Sequence, residues 1–498
     1  MRGFEYLQAG RVVGRSWGRY EGPVTVDGGQ VHRFSARIER LADPGTAAAT
    51  TLPDLRGVSE ILLDDQGRLV SAFERSASAE LRLQLRDGEL RAEAITGVPR
   101  NESWQAPVDP DAAYMGYMTA FYEELTLATR DIVGGEQQWP LISLSTGQVD
   151  GWTGTASLNS SSIQLRTSLG ERIDLAEGRI VFAEVPDIEL EVRVIEDATW
   201  PAWTVEAPSQ LSYELPPGLQ RRELELPGRP NEPRLAGEVV LPASAVESKL
   251  PAVVFLGGSA AADRHGFAGP PAVDLGSHEI TDALARAGFV VLRYDARGVG
   301  DSAFGPASWH GQVEDARRAL RTLLIQPEVD PDRVLVVGHG EGGWRALKLA
   351  AEYESSVVGV ALLGTPGRSY RRIIGATQPK LLDALQNGMP LPNVLEGNRA
   401  WYAEIIEEQP EALLSDGDCP VWAAHGDHDF EFDAETETKE LLRAARETKR
   451  KVELRRFPGL DHLFKPGPKA ADMAAYLQDR RVDGEFLDAL VAWARSRV

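Results

Sequence analysis

The stretch Val334-Leu-Val-Val-Gly-His-Gly-Glu-Gly-Gly343, followed directly by Trp344-Arg-Ala-Leu-Lys-Leu-Ala-Ala351, decides how this chain is read. Val334 to Val337 have the branched and aliphatic composition of a buried strand. The Ala/Leu/Lys run after the glycines has the composition of a helix. A sharp turn must join them, within Gly338-His339-Gly340-Glu341-Gly342, and its central residue is a glycine.

The same alternation extends on both sides. Strands are expected at 236–241, 252–256, 289–294, 333–338, 357–363, 420–424 and 451–457. Helices are expected at 277–287, 308–325, 341–353, 434–447 and 484–497. Continuous apolar strands separated by helices predict an α/β domain, a doubly wound, mostly parallel sheet covered on both faces. It spans 235–498. One connection, 366–418, is too long for an ordinary loop and is read as a helical lid. It mixes Arg368, Arg371, Arg372 and Lys380 with Leu381, Leu382, Leu385, Leu391, Trp401 and Tyr402, a lining for an apolar or an anionic acyl group.

Upstream the period changes to two. Arg11–Tyr20, Val31–Arg40, Glu80–Arg86, Ser162–Arg166 and Glu189–Ile195 alternate apolar with polar residues. Turns such as Asp87-Gly88 and Glu177-Gly178 fall between such runs. Residues 1–205 are therefore expected to form an antiparallel β-rich domain, a scaffold for the second one. A helix is expected at Ala113–Ile132. Residues 206–234 carry Pro216-Pro-Gly218 and Pro227-Gly-Arg-Pro230 and read as a linker.

The 498 residues are enough for two or three domains, and 43% apolar with 26% charged content is that of a folded protein. A net charge of −22 argues against nucleic acid or anionic membrane as a partner. Cys419 is the single cysteine, so no internal disulfide can form. Met1 is followed by no apolar leader segment, which gives the expectation of a cytoplasmic protein, with a secreted mature form left open.

Several motifs occur in a fixed order. Pro251–Gly266 contains Leu-Gly-Gly-Ser259; Arg293-Tyr-Asp-Ala-Arg-Gly-Val-Gly-Asp-Ser302 closes the next strand; Gln312-Val-Glu-Asp-Ala316 precedes the glycine turn. His425-Gly-Asp-His-Asp429 and Phe457-Pro-Gly-Leu-Asp-His-Leu-Phe464 follow it. Together they resemble the α/β-hydrolase superfamily, most closely bacterial esterases related to dienelactone hydrolases and prolyl oligopeptidases. Residues 1–230 lie outside the resemblance.

The resemblance implies a nucleophile elbow, G-x-S-x-G, at Gly338–Gly342, with Gly340 where the serine belongs. It implies Asp429 as the acid and His462 as the base, in the chain order of the fold. The oxyanion hole would come from the backbone N–H of Glu341 and from Gly258 or Ser259. Asp427 and Asp461 are assigned to turns, Asp295 and Asp301 to fixing the 293–302 loop, and Arg297 to a local pair.

Two other readings compete. His425, Asp427, His428 and Asp429 could ligate a metal, but they share one short loop with no second cluster, so no metal is expected. Gly338-x-Gly340-x-x-Gly343 fits a dinucleotide fingerprint, yet the next strand ends Ala361-Leu-Leu-Gly-Thr-Pro366 without the carboxylate that would hold a ribose. No cofactor is expected.

A glycine at position 340 fits a strained turn but deletes the atom that would form an acyl-enzyme. Glu341 is expected to project onto the helix and His339 into the core, so neither replaces it. Three readings follow: a nucleophile-deleted form of an esterase, a natural non-covalent catalyst using His462 and Asp429 as general base, or a ligand-binding pseudoenzyme. The expected partner is a small acyl substrate, with a homodimer allowed.

Overall fold

The computed structural model describes residues 1–498 except 27, 42–54, 77–78, 96–101, 110, 116–118, 131, 144–148, 159–161, 168–169, 187–188, 208–210, 231, 245–248, 259–261, 270–271, 307, 390–397 and 470–472. The chain divides into two compact units, Met1–Gln210 with Pro270–Ala272, and Leu211–Gly269 with Val273–Val498. Among the described residues no helix is long and apolar enough to cross a membrane.

In the first unit the alternating runs become one fifteen-stranded sheet. Its first strand, Arg2–Gln8, lies centrally, paired on one side with Arg11–Val26 and on the other with Leu190–Val194. The meander runs outward from there in both directions. Period-two burial is plain in Glu80–Arg86, where Leu81 and Leu83 are buried and Arg82 is exposed. A helix, Ala120–Ala128, packs on the sheet, and its Phe121 ring lies against Gly18, where a Cβ would come within 2.0 Å of it. Burying Phe121 stabilises the unit by roughly 2–3 kcal/mol.

The segment 113–132 is not one helix. Ala113–Met115 is a short strand running parallel to Gly135–Ser143. That pairing is made with residues distant in the chain, which local periodicity cannot register.

The second unit is built on an eight-stranded sheet, whose strands we number in chain order. They are β1 (Leu219–Leu226), β2 (Leu235–Pro242), β3 (Leu250–Leu256), β4 (Val290–Tyr294), β5 (Val329–His339), β6 (Val357–Leu363), β7 (Val421–Gly426) and β8 (Val452–Phe457). Their spatial order is β1-β2-β4-β3-β5-β6-β7-β8. β2 runs antiparallel to both neighbours, and β4 to β8 are joined by parallel pairings throughout. The central strands are buried on both faces, with Val253, Val254, Val336 and Val337 fully inaccessible.

The expected linker requires correction. β1 lies inside 206–234 and pairs with β2 from Leu219↔Pro242 to Leu226↔Leu235. As an edge strand it exposes Gln220, Arg221, Arg222 and Glu223, so its charge disguised it beside the prolines.

The helices are α1 (Ser277–Arg286), α2 (Trp309–Leu324), α3 (Gly342–Glu352), α4 (Tyr370–Thr377), α5 (Pro379–Asn387), α6 (Arg399–Ile405), α7 (Pro410–Ser415), α8 (Ala434–Glu447) and α9 (Gly484–Arg495). Side-chain caps set three of their starts: Ser308 accepts from Gly311 N–H, Asp433 from Thr436 N–H and Asp483 from Phe486 N–H. Helices α4 to α7 form the long insertion between β6 and β7. It is tied down by Trp309 Nε1–H donating to Glu408 (2.8 Å), Trp401 Nε1–H to Gln312 (3.0 Å) and the Arg368–Glu437 pair (2.6 Å). Leu391 lies outside the described residues.

Candidate active site

The sharp turn expected after Val337 forms where β5 meets α3, and its glycines divide into two kinds. A Cβ on Gly338 would come within 2.3 Å of Gly342 C, one on Gly342 within 2.2 Å of Leu256 O, and one on Gly343 within 2.0 Å of Thr365 Oγ1. These three let the helix seat against the sheet. Gly340 is different. Its φ is +54°, and among the described residues a Cβ there would meet only Gly258 Cα at 3.6 Å and His462 Nε2 at 3.7 Å, ordinary contact distances. Close packing thus accounts for Gly338 and Gly343 of the spacing that mimics a dinucleotide fingerprint, and the positive φ of the turn suits a glycine at 340.

Beyond β8, a turn carries His462 back over the elbow. Its Nδ1 is 2.8 Å from Asp429 Oδ2, and both side chains are buried. The other oxygen of Asp429 accepts the backbone N–H groups of Glu431 (2.9 Å) and Phe432 (2.8 Å), which fixes the carboxylate. The imidazole packs against Gly364, where any Cβ would come within 2.9 Å of the ring.

His339 is buried but does not simply fill the core. Burial holds its pKa down to about 3, so the ring is neutral, and its Nε2–H donates to the backbone carbonyl of His462 at 2.9 Å.

The electrostatics of His462 were not legible in the sequence. Burial alone would lower its pKa, but Asp429, Glu431 and Glu341 together push it up to about 10. Glu431 Oε2 lies 3.8 Å from His462 Nε2, and its other oxygen accepts the hydroxyl of Tyr476 at 2.5 Å. Asp429 is held below the usual carboxylate range: burial opposes this, and the His462 imidazole with the Phe432 N–H outweighs it. The resting site is an imidazolium–carboxylate pair.

Glu341 does not lie along the helix surface as expected. It is buried, lines a cavity of about 490 Å³ beside the elbow, and accepts a hydrogen bond from the Tyr370 hydroxyl. The first turn of α3 points residue 341 inward, a direction that helical composition does not reveal. Gly258 also borders the cavity, whereas Ser259 lies outside the described residues. The wall opposite comes from the insertion, including Ile374, Leu381 and Trp401.

The near-miss residues take structural roles. Asp461 accepts from Leu463 N–H and Lys465 N–H and pairs with Arg480, and Asp427 pairs with Arg456. Asp295 binds Arg264 and accepts Asp301 N–H. Arg297 reaches Asp315 on α2, 18 residues on, and so does not pair locally.

The four residues weighed as metal ligands at 425–429 turn to separate partners: His425 to Thr365 O, His428 to Gly467 O, Asp427 to Arg456 and Asp429 to His462. Among the described residues Asp274, His278 and Glu279 bring three ligand atoms within 4.8 Å of one another. The Lys465 ammonium donates to the backbone carbonyl of the same Asp274 at 2.7 Å, a cation already in place.

A family model described as serine aminopeptidase, S33, matches residues 275–394, which include the elbow but neither Asp429 nor His462. No curated protein matches the chain. Among solved structures, the chain is similar to acetyl xylan esterase 1 from Thermoanaerobacterium sp., at 17% identity and TM-score 0.40, over 57% of this chain and 86% of that one. It is also similar to an esterase from Pyrococcus furiosus, at 15% identity and TM-score 0.40, over 58% and 97%. A dienelactone hydrolase-like promiscuous phosphotriesterase from metagenomic libraries aligns at 17% identity and TM-score 0.36, over 56% and 99%. With β2 antiparallel in a 1-2-4-3-5-6-7-8 sheet, a glycine-framed elbow after β5 and this family match across it, the C-terminal unit has the α/β-hydrolase fold.

Proposed function

We propose that the C-terminal unit is a carboxylesterase-type acyl site in which Gly340 stands at the nucleophile position, so that an ester or related acyl ligand is bound without forming an acyl-enzyme. One observation carries this reading: a Cβ at residue 340 would lie 3.7 Å from His462 Nε2 with no clash among the described residues. A serine hydroxyl there could hydrogen-bond to the imidazole. Asp429 would hold the Nδ1 tautomer, and the backbone N–H groups of Glu341 and Gly258 would receive the oxyanion.

The test is Gly340→Ser. The variant should hydrolyse p-nitrophenyl esters at alkaline pH and be labelled covalently by a fluorophosphonate, while the Gly340 protein is not labelled. A serine variant that is folded, inert and unlabelled at every pH would end this reading.

A second reading, non-covalent catalysis, is favoured by the carboxylates around His462. As imidazolium, His462 would donate a proton from Nε2 to a departing oxygen, while the base role requires the neutral ring. Binding and oxyanion contacts without a nucleophile can still give roughly 10³–10⁴-fold over water. Hydrolysis by the Gly340 protein that disappears in His462→Ala, and falls as pH rises toward 10, is the signature of this acid-catalysed route.

A further inference from the structure

Beside His462 stands a second carboxylate for which a serine mechanism has no use. Glu431 Oε2 is 3.8 Å from Nε2, the ring nitrogen that Asp429 leaves uncovered. Its position is fixed at both ends. The Glu431 N–H donates to Asp429 Oδ1 (2.9 Å), and Glu431 Oε1 accepts the Tyr476 hydroxyl (2.5 Å). Tyr476 is buried on a short 3-10 turn, Met473–Leu477, and its ring packs on Phe430 at 4.9 Å. Burial, with Glu431 beside it, pushes the tyrosine pKa far above its ordinary value, so the hydroxyl stays the donor and Glu431 the acceptor.

The other titratable groups around the ring have different tasks. Asp429 binds Nδ1 and two backbone N–H groups, and the buried Glu341 accepts the Tyr370 hydroxyl. His339 and His425 are held neutral by burial. Glu431 differs in combining an oxygen near Nε2 with access to water: its side chain is 35% exposed, that of His462 only 6%. Two groups 3.8 Å apart can hold one water between them, each at hydrogen-bonding distance. The place of a serine side chain is adjacent, since a Cβ on residue 340 would lie 3.7 Å from the same Nε2 and 3.6 Å from Gly258 Cα at the edge of the cavity.

We propose that Glu431 is a general base: it takes a proton from a water held between its Oε2 and His462, and that water, rather than a residue at 340, attacks the acyl carbon of an ester. This assignment rests on the acyl reading of the site in its non-covalent form. In the attack a water O–H bond breaks, its proton passes to Glu431 Oε2, and the oxygen forms the new bond to carbon. Collapse of the tetrahedral adduct breaks the bond to the alkoxide, which takes the proton of His462 Nε2. The products are a carboxylic acid and an alcohol, nothing is oxidised, and the proton on Glu431 returns to Nε2 across the 3.8 Å gap. Asp429, Glu431 and Glu341, by raising the His462 pKa to about 10, keep the ring charged for this acid role at neutral pH. A serine at 340 would compete with the water for Nε2, which gives the glycine a use.

The test is hydrolysis of ethyl butyrate and of p-nitrophenyl butyrate by the Gly340 protein, Glu431→Ala and His462→Ala, each checked for folding by urea unfolding. Removing the base should lower kcat by about 10²-fold or more on both esters. Removing the acid should do the same on the ethyl ester and much less on the nitrophenyl ester, whose phenolate departs without a proton. Added formate, a carboxylate small enough to enter the space left in Glu431→Ala, should restore part of the rate, which a merely structural role would not allow. Glu431→Ala at the parental rate, or a folded Glu431→Ala that formate does not revive, overturns the proposal. Absence of hydrolysis by the Gly340 protein overturns it together with the non-covalent reading. Fluorophosphonate labelling of Gly340→Ser reports separately on the acyl site, so a labelled serine variant beside an unimpaired Glu431→Ala removes this assignment alone.

Discussion

His462 Nε2 and the position of a side chain on residue 340 are 3.7 Å apart, although no side chain is there. In the proposed acyl site, that distance would let a hydroxyl on residue 340 reach the imidazole. The imidazole is held by Asp429 on Nδ1, with two backbone donors on Asp429, and by a neutral His339 on the His462 carbonyl.

Because three carboxylates hold His462 protonated, a serine placed at 340 should be slow at neutral pH. With His462 titrating near 10, kcat/KM of Gly340→Ser should rise about tenfold per pH unit below that value. Adding Glu431→Gln removes one carboxylate and should move the inflection to lower pH. A pH–rate profile checks this, and an inflection that stays put removes Glu431 from the account.

The same elevated pKa makes a statement about stability. His462 titrates near 6.5 in the unfolded chain and near 10 in the fold, so the folded form binds the extra proton between these values. Its stabilisation is complete below about pH 6.5 and is lost as pH rises through 10. Denaturant unfolding of the parent and of His462→Gln, measured from neutral pH to just above the His462 pKa, should show a steeper alkaline decline in the parent. Parallel curves would mean that His462 titrates normally.

The glycine frame of the candidate site was readable because its spacing is enforced by sterics. Gly338, Gly342 and Gly343 cannot be other residues without moving the start of α3, Leu256 or Thr365 respectively, so the elbow leaves its mark in local sequence. The order of the motifs at 257, 340, 429 and 462 then follows from the order of the sheet. What stayed hidden depends on non-local geometry. β1 is an edge strand whose partner begins at Leu235, and Ala113–Met115 pairs with Leu141, Ile142 and Ser143. The inward turn of Glu341 concerns where a side chain points, which no one-dimensional pattern encodes.

Asp429→Asn separates orientation from charge. The amide can still accept from Glu431 N–H and Phe432 N–H through its oxygen, so the loop should keep its place. Its nitrogen then faces His462 Nδ1, which favours the wrong tautomer and removes the largest source of the raised pKa. In the Gly340→Ser background kcat should fall on the order of 10³–10⁴-fold, the scale of this substitution in serine proteases, with KM little changed. A loss confined to KM would instead point to a disturbed binding pocket.

Gly340→Ala and Gly343→Ala should differ in mechanism as well as in size. At 340 an alanine meets no atom of the described residues closer than 3.6 Å, and its cost is that of the positive φ, about 1–2 kcal/mol. At 343 it would lie 2.0 Å from Thr365 Oγ1 and 2.7 Å from Thr365 Cγ2, so α3 must shift, at roughly 2–3 kcal/mol. Thr365→Ala removes both of those atoms. Combined with Gly343→Ala it should recover a large part of the loss, while combined with Gly340→Ala the two effects should simply add. Urea unfolding of the single and double variants beside the parent measures the coupling directly. Additivity at both positions would show that the helix yields without resistance at Thr365, and that the glycine at 343 is not required by packing.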